Sequence, residues 1–107
     1  MTFDTLLSFV KEEDLRLRSY YKELSPTERE RLYSRTIKLT EEVGELCNEI
    51  LVSQKDQRKE KLKDNIKELE EEFADVIITT ALLALTTGID IEKSLEEKIQ
   101  KIEQRYQ

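Results

Sequence analysis

The 107-residue chain has no histidine and no tryptophan, one cysteine, one proline and two glycines. Each shortage excludes something. Without histidine the commonest general base and metal ligand is missing, so any metal must be a hard, oxygen-bound ion such as Mg²⁺ or Mn²⁺. The Glu-x-x-His pairs of a di-iron carboxylate bundle are excluded on the same ground. The lone cysteine, Cys47, cannot form an intramolecular disulfide, which fits a reducing cytoplasm. A net charge of −6 denies the chain the basic face that a nucleic-acid polymer requires. It leaves a single nucleotide open as a ligand, because a bound cation reverses the local charge. The longest nearly apolar run, Val76 to Leu85, is too short to span a bilayer. The opening "MTFDTLLSFVKEEDLRLR" lacks the basic start, apolar run and cleavage site of a secretory leader, so neither export nor a membrane is expected.

What is present is helix-forming. Charged residues make up 39% and hydrophobic residues 37%, with few breakers, so one all-α domain over residues 1–107 is expected. A first helix is expected from about Asp4 to Leu24, on the spacing of Leu6, Phe9, Val10, Leu17 and Tyr20. "SPTE" reads as Ser25 at the N-cap, Pro26 at the first helical position and Glu28 closing a capping box. The second helix then runs to about Ser53, and "SQKDQRKEK" is the connection or a helical extension. A third helix covers about Glu60 to Thr87 and ends on Gly88. Asp90 caps a fourth, from Ile91 to about Tyr106, with Leu95, Ile99 and Ile102 as its stripe. Short connections favour an antiparallel four-helix bundle.

Two octets match position for position: "LTEEVGEL" from Leu39 and "LEEEFADV" from Leu69. On the second helix Thr36, Leu39, Val43, Leu46, Cys47 and Ile50 form an apolar arc centred near Val43. At about 100° per residue, Glu42 and Glu45 lie roughly 100° and 160° to one side of it. On the third helix an arc of Leu62, Ile66, Leu69, Phe73, Val76, Ile77 and Thr80 has Glu72 and Asp75 at the same offsets. Packing arc on arc is therefore expected to bring Glu42, Glu45, Glu72 and Asp75 together along one edge. Four uncompensated carboxylates are strongly unfavourable at pH 7, and Mg²⁺ or Mn²⁺ removes the penalty. Gly44, inside a helix at a cost of about 1 kcal/mol, matches Ala74. Small residues there let backbones approach or leave room for a ligand. Glu41, Glu70 and Glu71 point elsewhere and are expected to be solvated; Glu49 and Glu68 lie further out on the acidic flank. Lys38, one turn before Glu42, is placed to pair with a carboxylate or to touch a phosphate. Lys98, Lys101 and Arg105 share one flank of the fourth helix, suited to phosphate oxygens or to pairing with Glu.

"EEVGE" at Glu41 to Glu45 followed by "EFAD" at Glu72 to Asp75 resembles the EExxE…ExxD signature of the MazG-like, all-α nucleoside triphosphate pyrophosphohydrolases. The resemblance covers roughly Leu32 to Tyr106 and includes "KLTEEVGEL", "ELEEEFADVI", "GIDIEKSL" and "KIQKIEQRY". It implies Mg²⁺-dependent cleavage of a nucleoside triphosphate between the α and β phosphates, giving a monophosphate and pyrophosphate. The residues matching the metal ligands are Glu42, Glu45, Glu72 and Asp75; proton removal could be assisted by any one of the four, with Glu45 the one named for it. Family members often carry an asparagine where this chain has Ile102. Members selective for deoxycytidine nucleotides often carry a tyrosine where it has Thr79. The resemblance further implies an oligomer, a homodimer or homotetramer. That fits Ile78, Leu82 and Leu85, which face away from the Phe73 arc and make the third helix apolar on both sides near its end: the first helix of a monomer covers part of that face, and a dimer or dimer of dimers covers it more fully. The expected role is housecleaning or control of a nucleotide pool. The competing expectations are a non-catalytic helical interaction protein and a pyrophosphohydrolase acting on phosphoribosyl-ATP.

Overall fold

The structure, a computed structural model, describes the backbone of residues 1–55 and 59–107 and the side chains of residues 1–54 and 66–107. Its elements are α1 (Phe3–Tyr20), α2 (Glu28–Lys55), α3 (Lys59–Thr86) and α4 (Ile91–Gln104). The expected connection within "SQKDQRKEK" is narrowed by these bounds, and its centre lies outside the described residues, as does the side chain of Leu62.

The helix ends follow local chemistry. Thr2 caps α1 by accepting from the Thr5 amide at 3.2 Å. The cap of α2 is Thr27, not Ser25 as the sequence suggested: the Glu30 amide donates to Thr27 Oγ1 at 3.1 Å. "SPTERE" holds two overlapping capping frames, Ser25 with Glu28 and Thr27 with Glu30. Ser25 is taken up elsewhere, its amide donating to Tyr21 O at 2.8 Å and its hydroxyl lying 3.2 Å from that of Ser34. Gly88 adopts φ 75° and ends α3, with the Ile89 amide donating back to Ala84 O at 2.9 Å. Asp90 caps α4 by accepting from the Lys93 amide at 3.1 Å.

α2 and α3 form an antiparallel hairpin, in which Arg35 meets Thr86 and Glu42 lies beside Glu72. The less exposed positions of α2 include 32, 35, 39, 42, 46, 49 and 53, and those of α3 include 69, 72, 76, 79, 83 and 86. This alternation of three and four is a coiled-coil-like seam. It differs from the expected arc-on-arc packing. Val43 and Phe73, the arc centres, remain 40% and 48% exposed, whereas Glu42 is 7% exposed. Glu42 and Glu72 thus sit in the middle of the helix seam between Leu39, Leu46, Leu69 and Val76 from one edge of each apolar arc, while the arc centres lie outside it. A helical wheel ranks positions around one helix but does not say which flank meets the neighbour.

α1 covers the other side of α3. Val10, Ala81 and Leu82 are buried there, with Leu6, Leu17 and Leu85 packed against them. Burying one leucine side chain contributes about 1.5–3 kcal/mol, so this cluster anchors α1. A charged network adds direction: Arg35 Nη1 donates to Asp14 Oδ1 and to Thr86 Oγ1, each at 2.6 Å. Arg18 Nε donates to the same Asp14 oxygen at 3.2 Å. The three helices are pinned through one guanidinium.

α4 turns off at 109° to α3, rather than returning along it, and Leu95, Ile99 and Ile102 stay exposed. The radius of gyration is 16.9 Å, against about 13 Å for a compact chain of this length. Among the described residues no single helix is long and apolar enough to cross a membrane.

Candidate metal centre and adjoining cleft

The two octets supply three side chains to one point. Carboxylate oxygens of Glu42, Glu45 and Glu72 all lie within 4.8 Å of one another. Oxygens on opposite sides of one Mg²⁺ are about 4.2 Å apart, so a small inward movement would let the three share an ion. Glu42 and Glu72 are seam residues, held by the packing of α2 on α3, while Glu45, one turn along α2 from Glu42, is exposed. Asp75 is exposed and stands outside the three-oxygen cluster.

The charges are poorly answered. Glu42 Oε2 and Glu72 Oε2 are enclosed and have no hydrogen-bond partner among the described residues. Burial pushes the Glu72 carboxyl above its ordinary value, and the neighbouring charges of Glu45, Asp75 and Glu42 push it further. Among the described residues one cation, Lys38, pairs with these acids. Lys38 Nζ lies 3.2 Å from Glu42 Oε1 and 3.6 Å from Glu41 Oε2. Its hydrogen bond to Glu42 raises the ammonium above its ordinary value. The donor set is all oxygen, anionic and short of protons, which suits a divalent hard cation.

Lys38 also lines a cleft of about 560 Å³ between α1, α2 and α3. Leu17, Tyr21 and Leu82 form apolar walls, and Ser25, Arg31 and Ser34 supply polar groups. Thr79 lines it too. The volume falls in the range of small-molecule sites.

The remaining residues singled out from the sequence fall elsewhere. Lys98, Lys101 and Arg105 are exposed on or just after α4, and none lines the cleft. Glu41, Glu70 and Glu71 are exposed, as expected for solvated acids, and so is Glu68, while Glu49 occupies a seam position. Gly44 has open space where a Cβ would project, so no close approach within the chain explains it. Asp14, Arg31 and Arg35 were missed by sequence reasoning. The available signal was the register of α2: Arg35 precedes Glu42 by seven residues, two turns along one helix face.

Fold and site together define an all-α protein whose paired acidic octets build a carboxylate cluster on a helical hairpin. Residues 32–107 match the family model of the MazG nucleotide pyrophosphohydrolase domain. The chain belongs to that family, whose members generally depend on a divalent metal. No curated protein and no solved structure matches the chain.

Proposed function

We propose that the protein is a Mg²⁺-dependent hydrolase that cleaves nucleoside triphosphates between the α and β phosphates, releasing a monophosphate and pyrophosphate. The observation that carries this reading is the pair of enclosed, partnerless oxygens on Glu42 and Glu72 inside the three-carboxylate cluster. A buried charge without a partner is costly, and a bound cation is its natural answer. Glu42, Glu45 and Glu72 would hold the ion, and Asp75, one helical turn from Glu72, would complete the set. When bound, the cation offsets phosphate charge and lowers the pKa of a bound water. Mn²⁺ would serve in the same oxygen site.

Water attacks the α phosphorus and the bond to the α–β bridging oxygen breaks. Glu45, as the exposed member of the cluster, is where solvent reaches, so we assign proton acceptance to it. Lys38 is the nearest cation and turns from Glu42 toward a phosphate oxygen. Lys98, Lys101 and Arg105 stand apart from the cluster within one chain, so their phosphate contacts would come from a second copy. A homodimer or homotetramer would also cover the exposed Val43, Phe73 and Ile77. Sedimentation equilibrium giving only monomer rejects that assembly. The exposed Cys47 fits a reducing cytoplasm.

The test is incubation with each common dNTP and NTP plus Mg²⁺, with pyrophosphate and orthophosphate assayed separately. Pyrophosphate is expected, with turnover lost in Glu42→Gln and reduced in Asp75→Asn. Orthophosphate release rejects α–β cleavage. The exposed apolar arcs favour a second reading, a non-catalytic helical interaction protein, and absence of both turnover and Mg²⁺ binding would select it.

A further inference from the structure

The cleft beside the carboxylates has an uneven lining, and its polar end holds a cation with little to do. Arg31 Nε is enclosed and has no hydrogen-bond partner among the described residues. Its Nη1 makes one long bond, 3.4 Å, to Pro26 O. Among the described residues no carboxylate lies within ion-pair distance of Arg31, whereas Arg16 has Glu12 and Glu13, and Arg18 and Arg35 share Asp14. Glu13, the acid in the same lining, is engaged by Arg16 at 3.1 Å. An arginine fork left unpaired at a cleft wall is a recognition group without its ligand.

Its position gives the ligand. Arg31, Ser34 and Lys38 line the cleft from one face of α2, at helical spacings of three and four. Lys38 joins the cleft to the carboxylates through Glu42. From the level of Glu42 back to that of Arg31 is about 16 Å of helix axis. With the triphosphate at the carboxylates, the sugar and base of an extended nucleotide run along the apolar walls and end at Arg31. Tyr21, 44% exposed, offers a ring face to a base on the way.

We propose that Arg31 is the base-selecting residue of this site and that the cleft favours nucleotides with a 6-oxopurine base. This rests on the nucleotide hydrolase reading above. Guanine and hypoxanthine present two adjacent acceptors, O6 and N7, that match a guanidinium fork. Adenine and cytosine turn an amino donor toward the same fork, and a 4-oxopyrimidine offers one acceptor in place of two. Glu13, Leu17, Tyr21, Leu24, Ser25 and Arg31 all precede the family-matched residues 32–107, so this selectivity belongs to the chain's own N-terminal part.

The test compares rates of the intact protein, Arg31→Gln and Arg31→Lys on dGTP, dITP and dATP with Mg²⁺, after circular dichroism has established that each variant is folded. The unchanged protein is expected to favour dGTP and dITP over dATP by about tenfold or more, the scale of one bidentate pair. Arg31→Gln removes that preference, and Arg31→Lys, which keeps the charge but not the fork, removes it too. Equal rates on all three, or a preference that survives Arg31→Gln, overturns the inference and leaves the hydrolase reading standing. If no nucleotide is turned over, calorimetric binding of dGMP against dAMP decides. Tighter dGMP binding lost in Arg31→Gln supports the role of Arg31 although the hydrolase reading falls; equal binding overturns both.

Discussion

Two charged clusters share the seam of α2, one helical heptad apart. Around Arg35, Asp14 and Thr86 every strong contact is answered: the guanidinium has an acid and a hydroxyl, and the acid has two guanidinium donors. Around Glu42, Glu45 and Glu72 the acids face one another, and two enclosed oxygens are left without partners. The helices and their packing are the same; only the pairing differs. A satisfied buried network holds elements in register, and an unsatisfied one waits for a ligand. The first cluster therefore reads as structure and the second as a candidate site.

Breaking the satisfied cluster should cost the most stability. Arg35→Ala leaves Asp14 buried with only Arg18, and about 3 kcal/mol of stability should be lost, the low end for a severed buried pair. Chemical denaturation measures it. Replacing both partners, Asp14→Leu with Arg35→Met, should recover much of the loss; no recovery would mean that the pair itself stabilises the fold.

The unsatisfied cluster should respond in the opposite sense. Glu72→Gln is expected to cut turnover by about a hundredfold, the scale of a damaged metal site, while raising the melting temperature of the metal-free protein. A drop in both would show Glu72 to be structural and erase the contrast.

Acidity separates the clusters more gently. Burial alone would push Asp14 up, but hydrogen bonds from Arg35 and Arg18 hold it below its ordinary 3.8. Its contribution is present above that value and is lost as pH falls through the lowered one. Glu72 is raised above 4.5 by burial and its acidic neighbours, so it binds its proton more tightly folded than unfolded. Stability of the metal-free protein should fall as pH rises from 4.5 through the raised value. Mg²⁺ should flatten that second slope and leave the acid-side slope of Asp14 in place, as melting curves from pH 3 to 8 with and without the ion would reveal.

The smallest effect belongs to Gly44. With open space at its Cβ position, Gly44→Ala should stabilise α2 by about 1 kcal/mol. A loss of turnover or of self-association alongside that gain would mark the open space as occupied in the working protein.

Much of this was legible in the chain. Breaker placement located the helices to within a few residues, because Gly88 and Asp90 satisfy helix-end groups by local chemistry alone. Capping was ambiguous only where "SPTERE" offers two frames. The octets announced a carboxylate site because an i, i+3 acid pair occupies one patch of helix surface whatever the helix packs against. Three of the four expected acids converge, and Asp75 stands just outside.

The sequence by itself determined the helices, the acidic octets and the absence of any histidine ligand, since all of these follow from residue type and short-range spacing. Only the tertiary structure decided that the acids, and not Val43 and Phe73, meet in the seam. It alone joined Asp14 to Arg35 across 21 positions and opened a cleft that ends on Arg31. Those outcomes depend on which flank of each helix its neighbour covers. That is a competition among several part-apolar, part-charged faces, and no single helix carries enough information to resolve it.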